Sequence, residues 1–95
     1  MSKPKRRKDE LALESECNSI ARKKGIISVK LENNGHTGIP DRMYVSWFGE
    51  VFFVEYKTKV GILSDEQIYW QGLLKNHFIV RSVEEFMNII IKLGL

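Results

Sequence analysis

The sequence predicts an α/β domain, a mixed β-sheet flanked by helices, with its elements in the order α-β-β-β-α-β-α. Three observations lead there. Apolar residues recur at helical spacing in three separate stretches, each with helix-terminal signals. Four short runs rich in Val, Ile, Phe and Tyr lie among them, bounded by glycine, asparagine and proline. One of these runs, Val51–Tyr56, is apolar on both faces, which marks a strand inside a sheet that helices must cover. At 95 residues the chain holds one such domain and not comfortably two.

Residues 1–8 read as a disordered basic tail, charged and without apolar periodicity, and 9–95 as the domain. From Asp9 to Lys24, Leu13, Cys17, Ile20 and Ala21 form one helical stripe, closed by Arg22-Lys23-Lys24-Gly25. Ile26–Leu31 is a β-branched strand, and Glu32–Gly38 is a loop. Pro40 holds Ile39 extended, so the chain enters a second strand stiffly at Asp41. Arg42–Trp47 and Val51–Tyr56 then pair as a hairpin across Phe48-Gly49-Glu50. Thr58–Leu63 is a further loop. Ser64-Asp65-Glu66-Gln67 has the form of a capping box and opens a helix to about Asn76, whose inner face carries Gln67, Trp70, Gln71 and Leu74, flanked by Ile68 and Leu73. Phe78–Arg81 is the last strand. Ser82-Val83-Glu84-Glu85 is a second capping box, opening a helix that buries Phe86, Ile89, Ile90 and Leu93.

Charge is uneven. Of 15 basic residues, five (Lys3, Lys5, Arg6, Arg7 and Lys8) precede the first acid, which leaves ten basic against 12 acidic residues in the body. Such a tail suits phosphate contacts or simply solubility. One cysteine excludes an internal disulfide and fits a reducing compartment. No apolar run approaches a membrane span and no signal segment follows the basic start, so a cytoplasmic location is expected, with no membrane partner.

The chemistry gathers around the hairpin. Alternation puts Glu55 and Lys57 on one face of their strand, and hairpin pairing brings Asp41 beside one of them. Two carboxylates and a lysine at one edge of a sheet suit a metal-dependent phosphodiesterase: hard oxygens hold Mg²⁺ or Mn²⁺, and the ammonium steadies negative charge. Glu-x-Lys alone is common and is usually a surface ion pair; the apolar flanks and the Gly-x-Pro-Asp upstream give it weight. His36, Lys59 and Lys30, with Arg6 and Arg7 of the tail, are candidate phosphate contacts, each otherwise an ordinary exposed side chain. Trp70 and Phe78 read as packing residues, and Cys17 as a small core residue.

GIPD, a hairpin to FFVEYK, then LSDEQIYW and later IVRS, in that order and spacing, resemble a standalone VRR-NUC domain nuclease of the PD-(D/E)XK superfamily. The resemblance covers about Glu14 to Ile90. It implies the same α-β-β-β-α-β-α sandwich and Mg²⁺- or Mn²⁺-dependent cleavage of DNA. Matched position by position, Asp41 and Glu55 are metal ligands, with the backbone carbonyl of Tyr56. Lys57 is the catalytic lysine and Gln67 the glutamine beside the site. Tyr56 stands where the family usually has an aliphatic residue; it points away from the metal and is expected to be harmless. A first-helix glutamate is a further ligand to the metal or its water; Glu14 is the better match and Glu16, on the opposite flank, the alternative. Gln67 is pulled two ways, because closing the capping box turns it back toward its own helix start.

Standalone relatives resemble Holliday junction resolvases, so the resemblance implies a homodimer acting on branched DNA. Trp47-Phe48 and the last helix offer candidate dimer surfaces. The alternatives are a flap- or nick-directed nuclease working with a replication or repair partner, and a non-catalytic DNA-binding module.

Overall fold

In the computed structural model, which describes residues 8–31 and 35–95, the elements follow the expected order. They are α1 (Lys8–Lys23), β1 (Ile27–Lys30), β2 (Arg42–Val45), β3 (Val51–Tyr56), α2 (Asp65–Leu73), β4 (His77–Val80) and α3 (Val83–Lys92). The strands form one mixed sheet in the order β1-β2-β3-β4. Both β1–β2 and β2–β3 are antiparallel, and β3–β4 is parallel, with α2 in the crossover. The doubly apolar β3 is interior, as its composition requires. Among the described residues no helix is long and apolar enough to cross a membrane.

Alternation decides which face of the sheet is closed. Tyr44, Phe52, Val54, Tyr56 and Val80 are fully buried on one side, against Cys17 and Ala21 of α1 and Phe86 and Ile90 of α3. The rings of Tyr44 and Phe52 stack at 5.1 Å, and Phe86 lies within 5.4 Å of Tyr44. This is the core. Residues of opposite parity, among them Phe53, Glu55, His77 and Ile79, face the second side, which α2 covers only in part.

Several boundaries differ from expectation for local reasons. Helix α1 begins at Lys8, inside the stretch expected to be tail; the rest of that tail and residues 32–34 lie outside the described residues. Strand β2 stops at Val45, two residues short of Trp47, because Ser46 turns the chain. Its N–H donates to the Glu50 carbonyl, its Oγ accepts the Glu50 N–H, and its carbonyl accepts from Gly49, which sits at φ +87°. Helix α2 ends at Leu73 because Leu74 is extended and Asn76 takes a left-handed φ of 54°. The Asn76 amide then donates to the Val51 carbonyl and the Glu50 carboxylate, so β4 starts at His77.

The inner face expected for α2 is also corrected. Gln67, Trp70 and Leu74 are half-buried, but Gln71, Ile68 and Leu73 are exposed, because nothing among the described residues lies outside this helix. The second capping box is half a box. Ser82 Oγ accepts the Glu85 N–H, yet Glu85 reaches past Ser82 to accept the N–H of Arg81.

His77 supplies a pH test of the packing. Its Nδ1 is buried without a hydrogen-bond partner among the described residues, and burial lowers its pKa from the ordinary 6.5. The unfolded chain therefore takes up this proton at a higher pH than the folded one. The contribution is intact above pH 6.5 and is lost as the pH falls toward the lowered folded-state value. Urea midpoints should drop between neutral and mildly acidic pH, and His77→Leu should flatten that drop.

Candidate active site

The site is built at the end of the β2–β3 ladder. Arg42 pairs with Val54, so the next step of the register sets Asp41 opposite Glu55. Both carboxylates are buried, at 5% and 4% exposure. Two interactions fix the Asp41 end: its carbonyl accepts the Leu31 N–H at 3.1 Å, and its Oδ2 accepts the Tyr56 N–H at 2.8 Å. Fully buried Pro40 anchors the approach, where a fixed φ and a missing N–H cost nothing.

Lys57 continues the alternation of β3 and so shares the face of Glu55. Its N–H still pairs with the Val80 carbonyl at 3.0 Å, which keeps strand geometry through this residue. The half-buried side chain lies along Gly61, where an added Cβ would come 3.3 Å from Lys57 Cδ. Arg81 holds that loop in place by donating to the carbonyls of Thr58 at 2.6 Å and Gly61 at 2.8 Å.

Gln67 combines the two roles that sequence reasoning set against each other. Its Oε1 accepts the Ser64 N–H at 2.9 Å and its N–H donates to Ser64 Oγ at 3.1 Å, which closes the capping box. Its Nε2 meanwhile donates to Glu55 Oε2 at 2.8 Å. An amide has an acceptor and a donor at opposite corners, so one side chain caps the helix and orients the carboxylate together.

Helix α2 is brought to the sheet by close approach. Gly38 sits at φ +81°, and a Cβ there would lie 2.5 Å from the backbone and Cβ of Glu66. Only glycine fits both the conformation and the space. Trp70 Nε1 donates to the Thr37 carbonyl at 3.1 Å, and the exposed His36 ring meets Trp70 edge-on at 5.9 Å.

The remaining expected residues divide. Glu14 is buried and accepts from Arg42 Nε, whereas Glu16 is exposed. Among the described residues no group of three or more His, Cys, Asp or Glu is placed to hold a metal, so Glu14 is not gathered with Asp41 and Glu55 into a three-carboxylate cluster. Lys30 and Lys59 are exposed. Arg6 and Arg7 lie outside the described residues. The donors available to a metal are thus two hard carboxylates and nearby backbone carbonyls. This set fits a small oxygen-seeking cation that keeps several waters, and does not suit a soft one.

The Tyr56 side chain points to the closed face, where it does more than fill space. Its hydroxyl bonds that of Tyr44 at 2.6 Å, and Tyr44 donates to Asn18 Oδ1 at 2.6 Å. Ser28 donates to the same oxygen and accepts from Arg42, which returns the chain of contacts to Glu14. Burial pushes Tyr44 up to about 12 and the neighbouring Cys17 thiol to about 11, and raises Tyr56 further, so all three stay neutral. Sequence reasoning missed Arg42, Tyr44, Asn18 and the close approach at Gly38. The glycine two places before Pro40 was the one local hint.

No family model and no curated protein matches the chain. A solved structure described as "VRR_NUC domain" does, at a TM-score of 0.75 and 22% identity, over 87% of this chain and 94% of that one. The chain has the fold of a VRR_NUC domain. The likeness extends over most of the elements above.

Replacing Gly38 tests whether close packing of α2 holds the site together. Gly25 also has a positive φ, of 72°, but open space around it, so Gly25→Ala reports the conformational cost alone. Gly38→Ala should destabilise by about 1–3 kcal/mol more, read by urea unfolding. Tyr56→Phe should cost about 1 kcal/mol through the lost contact with Tyr44.

Proposed function

We propose that this protein is a metal-dependent, structure-specific endonuclease that hydrolyses DNA phosphodiesters, acting on four-way junctions as a homodimer. The observation that carries the reading is the pair of buried carboxylates, Asp41 and Glu55, facing each other at a ladder end with Lys57 two residues further along the same face. The VRR_NUC fold supports it, because this is where the sequence resemblance puts the catalytic residues.

In this proposal Asp41 and Glu55 would hold Mg²⁺ or Mn²⁺, with the Tyr56 backbone carbonyl as a further donor. Such an ion supplies a water acidic enough to deprotonate near neutral pH, and positive charge against the phosphoryl oxygens. The chain's own groups do the rest. The Asp41 carboxylate is held by the Tyr56 N–H, and the Glu55 carboxylate by the Gln67 amide, so both donors are set before substrate arrives. Lys57 donates a hydrogen bond to the attacking water or a non-bridging phosphoryl oxygen as the water oxygen bonds phosphorus and one P–O ester bond breaks. Glu14 supports the site from the closed face by holding Arg42, the neighbour of Asp41. Lys30, Lys59, His36, Arg6 and Arg7 are assigned to backbone phosphates, which position the duplex without reading its sequence. The apolar outer side of α2, with Ile68, Tyr69 and Leu73 all more than half exposed, favours a second copy that doubles the DNA-binding surface.

The test is cleavage of a labelled four-way junction beside a linear duplex and a 5′ flap, with Mg²⁺, Mn²⁺ or EDTA. Paired, metal-dependent cuts in the junction are expected. Lys57→Ala and Glu55→Gln should each lower the rate by about 10²-fold or more, and Gln67→Ala by less. Preferential flap cutting would keep the site and move the protein to a flap-directed nuclease. Junction binding without cleavage under either metal would sink catalysis and leave a binding module.

A further inference from the structure

The end of the sheet opposite the carboxylates carries an unexplained feature. Trp47, 83% exposed, and Phe48, 50% exposed, project from the β2–β3 turn with their rings edge to face at 5.1 Å. Neither is needed to close the turn, which Ser46, Gly49 and Glu50 make among themselves. A Trp this exposed is costly to leave in water.

Charge at this end is one-sided. All three helices run from the carboxylate end toward the turn. Helix α1 finishes in Arg22, Lys23 and Lys24, just before β1, whose first residue pairs with Val45. Helix α2 is followed by Lys75, next to the Asn76 that bonds Glu50 and Val51. Helix α3 finishes at Lys92, whose ammonium lies 5.9 Å from the Phe78 ring near the start of β4. These five cations are exposed, and the carboxylate of the turn, Glu50, accepts from the Asn76 amide. Cations at helix C-termini suit the helix dipoles; that accounts for their positions but not for two bare aromatic rings at the same end.

We propose that this turn is a second DNA contact, in which Trp47 and Phe48 stack on an unpaired base while Arg22, Lys23, Lys24, Lys75 and Lys92 hold its backbone. Aromatic rings set within a basic surface are the elements of single-strand recognition, since every base offers a π-face and every nucleotide a phosphate. Paired DNA hides its base faces; a branch point exposes them. At about 3.3 Å per residue along β2, the turn stands roughly 15–20 Å from Asp41, a few base pairs from the bond to be cut. A second copy of this chain is the poorer occupant. Two-fold pairing through this patch sets it against itself and brings like charges together.

The inference rests on the nuclease reading for its choice of DNA, and metal-free binding separates the two. In EDTA, a single-stranded oligothymidylate added to the full chain should quench the exposed-Trp fluorescence, and Trp47→Phe should remove most of that quench. Trp47→Ala should weaken binding of the labelled oligonucleotide by about 5- to 100-fold, with a smaller effect on blunt duplex. Lys24→Ala and Lys75→Ala should each lower the salt dependence of binding. Junction cleavage without a Trp47-dependent quench would overturn this contact and leave the nuclease standing. Trp47-dependent binding without cleavage would do the reverse. A Trp47→Ala variant that changes from dimer to monomer in sedimentation, with oligonucleotide affinity unchanged, would also overturn it and assign the patch to a second copy.

Discussion

The register of the β2–β3 hairpin is the constraint on which the rest of this structure depends. Pairing Arg42 with Val54 and Tyr44 with Phe52 sends Tyr44, Phe52, Val54 and Tyr56 into the core. The same register sets Asp41 opposite Glu55 on the next step. A slip of one residue would expose the aromatic core and bury Phe53 and Glu55 in its place. The free energy of apolar burial therefore holds two carboxylates in proximity that their own repulsion opposes. The Tyr56 N–H bond to Asp41 then ties one carboxylate to the backbone of the strand that carries the other.

The second face of the sheet is organised by polar contacts and close approach more than by a large apolar interface. Helix α2 has no fully buried residue. What docks it is a glycine that lets its first turn touch the backbone, an indole bond to Thr37 and the amide of Gln67. Each of these lies at the carboxylate end. The helix that carries Gln67 is thus held mainly through the site itself, so changes in Glu55 or Gly38 should be felt in α2, and its outer apolar side remains available to a partner.

The parallel run of the three helices gives the molecule two unlike ends. Their acidic first turns, with Asp9, Glu10, Asp65, Glu66, Glu84 and Glu85, lie toward the carboxylate end. Their C-terminal ends bring cations around Trp47 and Phe48. Local rules of helix capping and dipoles account for each charge singly. Only the shared direction of the helices gathers them at the end of the sheet that carries the aromatic turn.

Element order, strand character and the placement of Asp41 beside Glu55, with Lys57 on the same face, were legible in the sequence, because alternation, capping residues and turn residues are local properties. Strand and helix ends were less legible. Ser46 and Asn76 stop their elements with side-chain bonds to Glu50 and Val51, partners that lie across a turn or on another strand. Tertiary structure alone decided that Glu14 and not Glu16 is buried, and that it meets Arg42; helical spacing put both at the edges of one stripe. It also decided that Gln67 caps and orients at once, since that depends on where Glu55 lies relative to the start of α2. The need for glycine at position 38 has the same origin: a free backbone tolerates other residues there, and the backbone of Glu66, 28 places along the chain and packed 2.5 Å from any added Cβ, does not.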